Sequence, residues 1–330
     1  MLNIKQTKLH FASALLIGGL MGSSSVSFAE TLKLSHNGDT KSPVHKALKF
    51  FADEVEEKTN GDLKVRVYPN GQLGTQRESL ELLQSGALDM AKSNASELES
   101  FDPAYGAFNI PYIFRDREHF YRALESEDIG QKILSSSEKY GFVGVAYFDA
   151  GSRNFYTTKP VRSPADLKGM KIRVQPSPSA IKMMELMGAS PTPLPFGELY
   201  TALQQRVVDG AENNIGAVTT YRHGEVAKYY SQDEHAMIPD VLVISSKTWE
   251  NLSDKNKDAV LTAGKDATAF MKTLWAEYTE EELNKATKMG VEILDVDKDA
   301  FIKAVEPMHK DAANDPVIAS YVEAIKALDK

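Results

Sequence analysis

Two periods of hydrophobic and polar positions alternate along this chain. Residues 31–35 read as a short strand, and Ser42-Pro43 is a helix start, with Ser as cap and Pro in the first turn. Val44, Ala47, Leu48, Phe51 and Val55 then fall on one helical face, and Asn60-Gly61 ends the helix. Leu63, Val65 and Val67 alternate with Lys64 and Arg66, the period of a half-buried strand. Thr75 opens a second helix carrying Leu80 and Leu83 on one face, Gly86 closes it, and a strand begins at Leu88–Met90. The opening is therefore β-α-β-α-β, which predicts a mostly parallel sheet flanked by helices.

The pattern breaks and restarts. Residues 143–148 form a strand that Gly151 interrupts. A helix start at Ser163-Pro164 and a turn at Gly169 precede a strand over Lys171–Val174. Ala180, Ile181, Met184 and Met187 stripe one helix, which stops at Gly188, and Leu199, Ala202 and Leu203 stripe the next. After a strand over Val241–Ser245, Ser253 caps a helical pattern that runs to Met289-Gly290. About 35 residues at 1.5 Å each make a rod of about 50 Å, too long for one small α/β lobe. The expected fold is thus α/β and two-lobed, each lobe a mixed, mostly parallel sheet flanked by helices, with one long helix spanning both. The expected division is 30–150 plus 240–278 for the first lobe and 151–239 plus 279–330 for the second. Bilobed α/β proteins bind in the cleft and close by a hinge.

Residues 1–29 read differently. Lys5 and Lys8 precede a short apolar run from Phe11 to Met21, and Ser27-Phe28-Ala29 has small residues where signal peptidase needs them. This is a secretory leader cleaved after Ala29, which places the protein in the periplasm. Removing it leaves 36 basic against 46 acidic residues, a balance of −10. An acidic chain without basic runs does not bind nucleic acid. Zero Cys excludes thiol nucleophiles, zinc ribbons and iron–sulfur clusters.

Enzyme signatures are missing too: there is no Gly-rich nucleotide loop, no nucleophile elbow and no H-E-x-x-H. The six His residues after the leader form no i,i+4 metal pair, so no metal and no cofactor is expected. Two Arg residues stand out. Arg153 follows Gly151-Ser152, and Arg173 lies in Lys171-Ile172-Arg173-Val174. At a strand end a guanidinium can enter the cleft and clamp a carboxylate through two parallel bonds.

Six segments occur in a fixed order: Gly-Gln-Leu-Gly at 71–74, Gly86-Ala87-Leu88-Asp89, Phe108 to Phe114, Asp166 to Val174, Gly188-Ala189-Ser190-Pro191 and residues 196–214. Together they resemble the solute-binding (DctP-type) subunit of TRAP (tripartite ATP-independent periplasmic) transporters over essentially the whole chain after the leader. The resemblance implies a binding protein, not an enzyme, that captures an organic acid and passes it to TRAP membrane permease subunits. It implies Arg173 as the carboxylate clamp, Arg153 as a second contact, Asn213 as an orienting amide and Phe196 as a wall. A monomer is expected.

The first lobe offers His36 and Asn37 after the first strand, Gln76 and Glu78 after Gly74, and Ser93 and Asn94 after Asp89; Asp240 flanks the crossing back to it. Glu78 also sits three residues after Thr75, the spacing of a capping box. Two cleft Arg residues supply two positive charges. A dicarboxylate would neutralise both and strand a cleft Glu78 or Asp240, whereas a monocarboxylate leaves one Arg for one protein acid. The look of residues 221–240 and of His36-Asn37 is also nearest to hexuronate-binding members. The expected ligand is glucuronate or galacturonate, with a sialate-like acid or a C4-dicarboxylate as alternatives. A periplasmic enzyme on acidic sugars, or a sensor partner, is the reading from another class.

Overall fold

The computed structural model describes residues 29–328; the predicted leader, apart from Ala29, lies outside them. The first sheet contains β1 (Glu30–Ser35), β2 (Leu63–Tyr68), β3 (Met90–Asn94), β4 (Phe142–Phe148) and β10 (Asp240–Ser245), in the order β2-β1-β3-β10-β4. The second contains β5 (Ser152–Thr157), β6 (Lys171–Val174), β7 (Ser190–Pro193), β8 (Gly210–Asn213), β9 (Tyr229–Met237) and β11 (Glu292–Leu294), in the order β11-β9-β5-β8-β6-β7.

In the first sheet β1 runs parallel to β2 and β3, while β10 is antiparallel to β3 and β4. The reason lies in the connectivity. β10 enters from the second lobe, through Ile238-Pro239, and so runs opposite to strands that point at that lobe. The chain also crosses at residues 149–151, between β4 and β5. Both crossings put strand ends at the interlobe cleft, where ligands of open α/β sheets bind.

The helix Pro43–Lys58 starts at its Ser42 cap and buries Ala47, Leu48, Phe51 and Val55 against the first sheet. The long helix spans Asp254–Lys288, 35 residues, capped by Ser253. Its Thr268 hydroxyl donates to the Tyr147 carbonyl of the first lobe at 2.8 Å, and its Glu282 accepts from Thr219 of the second. One rod thus braces both lobes. The division at 279–330 is less clean than the sequence reading drew it. The helix Lys298–Asn314 packs Phe301 and Val305 on the second lobe, but the final helix, Ala319–Ala327, buries Val322 and Ile325 in the first-lobe core.

The second sheet was read poorly from sequence. Only β6 of its six strands was expected. β9 explains why: Tyr-Tyr-Ser-Gln-Asp-Glu-His-Ala-Met buries Ser231, Asp233 and His235, so polar residues occupy inward positions and the apolar period vanishes.

Gly151 marks the first crossing. Its φ is +71°, and a Cβ there would lie 2.4 Å from Cζ2 of Trp275 on the long helix. Gly151→Ala should therefore destabilise the protein by at least about 1–3 kcal/mol, the usual cost of overpacking. Urea unfolding measures this; an unchanged midpoint would mean that Trp275 is not held against the crossing.

Candidate functional site

Strand ends from both sheets line one cavity, with about 730 Å³ of empty space including its mouth. From the second lobe come Arg153 at the start of β5, Arg173 on β6, Asn213 at the end of β8, and Phe196. The first lobe adds Asn37 after β1, Gln76 at a helix start, Asn94 at the end of β3 and Asp240 at the start of β10. The structure thus gathers eight of the eleven sequence-predicted site residues.

Their charges are paired with one exception. Arg153 donates from Nε to Glu212 Oε2 at 2.5 Å and from Nη2 to Oε1 at 3.0 Å, a buried bidentate pair. The chain of charge continues inward: His235 Nε2 lies 3.2 Å from Glu212 Oε2, and its Nδ1 lies 2.7 Å from Asp233 Oδ2. Burial alone would raise the Glu212 carboxyl, but Arg153 and His235 outweigh it and hold it down at about 2. Burial would likewise lower the imidazole, but Asp233 and Glu212 hold it up at about 9. On the opposite wall Lys92 Nζ sits 3.1 Å from Asp240 Oδ1.

Arg173 differs. It is 1% exposed, its Nε donates to the Leu194 carbonyl at 2.8 Å, and its guanidinium lies 5.9 Å from the centre of the Phe196 ring. Its Nη1 has no hydrogen-bond partner among the described residues, and burial lowers its pKa where Arg153 is raised by Glu212. An unmet buried donor costs about 1–3 kcal/mol, more when charged, so this atom needs an acceptor. Trp275 Nε1, on the same cavity wall, is a second buried donor without a partner among the described residues.

The amides are oriented for a ligand. Asn213 accepts through Oδ1 from Arg153 Nη1 at 3.2 Å and from the Asn214 amide at 2.8 Å, which leaves its NH2 to donate. Asn94 caps the next turn through Oδ1, at 3.0 Å from the Glu97 amide, and its NH2 is likewise left. Asn37 donates to Gln76 Oε1 at 2.6 Å, and Gln76 donates to Ser93 Oγ at 3.4 Å.

Three predicted residues are not on the cavity wall. Glu78 forms a capping box, accepting from the Thr75 amide at 2.8 Å and hydroxyl at 2.9 Å; the helix-start reading of its spacing was the right one, and it faces a neighbouring chamber. His36 is buried behind the wall, accepting from the Gly38 amide at 3.0 Å, and burial, helped by Lys92, drops it to about 3. Ser93 is buried beneath Gln76. The sequence reading missed Lys92, Glu212 and Trp275. Lys92 lies mid-strand, where a Lys reads as solvent-facing, and only its place in the fully buried β3 reverses that. Glu212 had a signal, being next to Asn213 in Asp-Gly-Ala-Glu-Asn. Among the described residues no group of three His, Asp or Glu is placed to hold a metal ion, and no helix is long and apolar enough to cross a membrane.

The family described as bacterial extracellular solute-binding protein, family 7 (DctP), matches residues 34–315. A TRAP periplasmic solute-binding protein of Bradyrhizobium sp. BTAi1, in complex with α/β-D-galacturonate, is 39% identical, with a TM-score of 0.88 over 91% of this chain and 100% of that one. Another, from Anaerococcus prevotii with bound α/β-D-glucuronate, is 37% identical, with a TM-score of 0.88 over 90% of this chain and 97% of that one. The 2,3-diketo-L-gulonate-binding periplasmic protein YiaO of Escherichia coli is 32% identical, over 88% of this chain and 90% of its own.

One acid beside the cavity has no ion-pair partner among the described residues. Glu97 is 5% exposed, and burial lifts its carboxyl to about 7 against the pull of Arg173, Arg77 and Lys92. Folding therefore disfavours its ionised form. The cost is absent below the ordinary value near 4.5, where folded and unfolded states are both protonated, and is complete above about 7. Glu97→Gln should thus leave stability unchanged near pH 4 and raise it progressively between about pH 4.5 and 7. Denaturant melts at both ends of that range decide it; a gain that does not grow with pH would mean that Glu97 is ionised at little cost.

Proposed function

The chain belongs to family 7 of the bacterial extracellular solute-binding proteins, and from that premise we propose that it captures a hexuronate, glucuronate or galacturonate, and delivers it to a TRAP permease. The observation that carries the reading is the charge balance of the cavity. Arg153 and Lys92 have protein acids of their own, and of the three cavity cations Arg173 alone keeps a buried guanidinium nitrogen without a partner among the described residues. One carboxylate fills that deficit. A second would face pairs already neutralised, which counts against a C4-dicarboxylate.

This reading keeps the expected balance of one Arg for the ligand and one for a protein acid, with different residues. Glu212, not Glu78 or Asp240, answers Arg153, and Lys92 answers Asp240.

The rest of the wall suits hydroxyls. Lys92 uses one of three N–H donors on Asp240, and Asp240 keeps Oδ2 free of protein bonds among the described residues. Such a donor–acceptor pair reads neighbouring hydroxyls. The ligands named for the three relatives above are six-carbon sugar acids with a single carboxylate. A sialate-like acid shares that single charge and is the second reading.

In the proposed cycle the leader exports the chain to the periplasm. The two lobes, with the final helix Ala319–Ala327 moving with the first, open about residues 149–151 and 238–239, admit the acid and close. Arg173 binds the carboxylate, with Asn213 orienting it and Phe196 forming a wall, while Arg153, Asn37, Gln76, Asn94 and Asp240 meet the hydroxyls.

Calorimetry on a panel of acids tests this. Glucuronate or galacturonate should bind at least tens-fold more tightly than succinate, because hydroxyl-reading groups left unmet cost about 1–3 kcal/mol each. Arg173→Lys, which keeps the charge but loses the planar fork, should weaken hexuronate binding by about 2–5 kcal/mol. Glu78→Gln should leave affinity intact and cost at most about 1 kcal/mol of stability. Succinate binding as well as the hexuronates would overturn the acid-sugar reading.

A further inference from the structure

The cavity does not end at its outer wall. Asn37, Gln76 and Phe196 also line a second chamber, with about 950 Å³ of empty space including its mouth. The Asn37–Gln76 hydrogen bond, 2.6 Å long, and the Phe196 ring therefore form a partition with space on both sides. This chamber is more than is needed for a single sugar ring that already fills the inner cavity.

Its walls have the character of a saccharide subsite. Pro176, Pro195 and Phe196 present flat apolar surface of the kind that the C–H face of a pyranose covers. Glu97 lines it as well: it is 5% exposed, and its carboxyl makes no hydrogen bond to any described residue. Its carboxyl oxygens keep their small exposure toward the chamber, and a sugar hydroxyl, which both donates and accepts, can meet them there.

Charge selects the class of sugar. Glu78 and Glu198, joined by Glu97 where it is ionised, line the chamber with Arg77 as the one cation among its lining residues, and Arg77 already pairs with Glu81 at 3.2 Å. A second uronate would be repelled there; a neutral residue would not.

We propose that the outer chamber is a second sugar subsite, so that the protein accepts a uronic acid glycosidically linked to a neutral sugar, with the uronate inside and the neutral ring against Glu97. The inference rests on the hexuronate reading of the inner cavity. It places upstream a reaction that releases aldobiouronic acids from a larger saccharide, a glycosidic cleavage by hydrolysis or elimination.

The test is calorimetry with four ligands: a free hexuronate, two aldobiouronic acids that carry the neutral sugar on the anomeric oxygen or on O4 of the uronate, and a diuronic acid. At least one aldobiouronic acid should bind within tenfold of the hexuronate, and the diuronic acid at least tenfold more weakly than that disaccharide. Gly197 lines the chamber, and a Cβ there would meet nothing within 4 Å, so Gly197→Trp adds a large ring at this wall without a clash at its Cβ. That variant should lose at least tenfold for the disaccharide and less than threefold for the hexuronate, and Glu97→Gln should weaken the disaccharide selectively. If neither aldobiouronic acid competes with bound hexuronate, or if Gly197→Trp weakens both ligands equally, the subsite is overturned while the hexuronate reading stands. A disaccharide that binds where the free hexuronate does not would overturn the latter and keep the chamber.

Discussion

A guanidinium buried without an acid of its own governs this structure. Removing a charge from water costs several kcal/mol unless a partner is supplied, and the fold supplies one for nearly every charge around the cavity. Arg153 has Glu212, which leans on His235 and, through it, on Asp233; Lys92 has Asp240. Arg173 receives one carbonyl and the face of the Phe196 ring. In a low-dielectric cavity such an imbalance is felt strongly, and an anion from solution relieves it. The recognition chemistry is therefore a deficit left in an otherwise closed account of charges.

Holding that deficit in place needs a rigid frame on both sides of the cleft. β5 and β8 lie side by side, with Asn154 paired to Asn213, and this register sets Arg153 against Glu212. β9 contributes His235 and Asp233 from the other neighbour of β5. In the first lobe β3 and β10 are paired so that Asp240 faces Asn94, with Leu242 opposite Lys92 two residues further in. Lys92 and Asp240 thus meet along one face of the sheet, where residues two apart share a side. The long helix ties these two frames together, and Trp275 against Gly151 brings its packing to the point where the chain crosses.

Legibility followed the kind of burial. Where strands and helices bury apolar faces, as in Pro43–Lys58, β2 and the long helix, the period in the sequence and the element in the structure coincide almost residue for residue. Where a strand buries charge, as β9 does, the same reasoning finds no strand. The candidate site divides likewise. Arg173, Arg153, Asn213 and Phe196 lie in motifs that an ordered resemblance picks out, and all four meet at the cavity. Glu78 had two readings on one spacing, and the local one prevailed because the Thr75 amide and hydroxyl are three residues away in any conformation that starts a helix.

By itself the sequence determined the alternation of elements, the rod that spans both lobes, the family, and the Arg residues able to clamp a carboxylate. Those are properties of neighbours along the chain, or of short motifs kept in order. Only the tertiary structure decided which charges cancel. Arg153 and Glu212 are 59 residues apart, and Lys92 and Asp240 are 148 apart. No period or spacing joins such partners; strand register and the two crossings do. Whether Arg173 stands alone depends on all of them at once, which is why the number of charges that the cavity accepts appears only when the chain is folded.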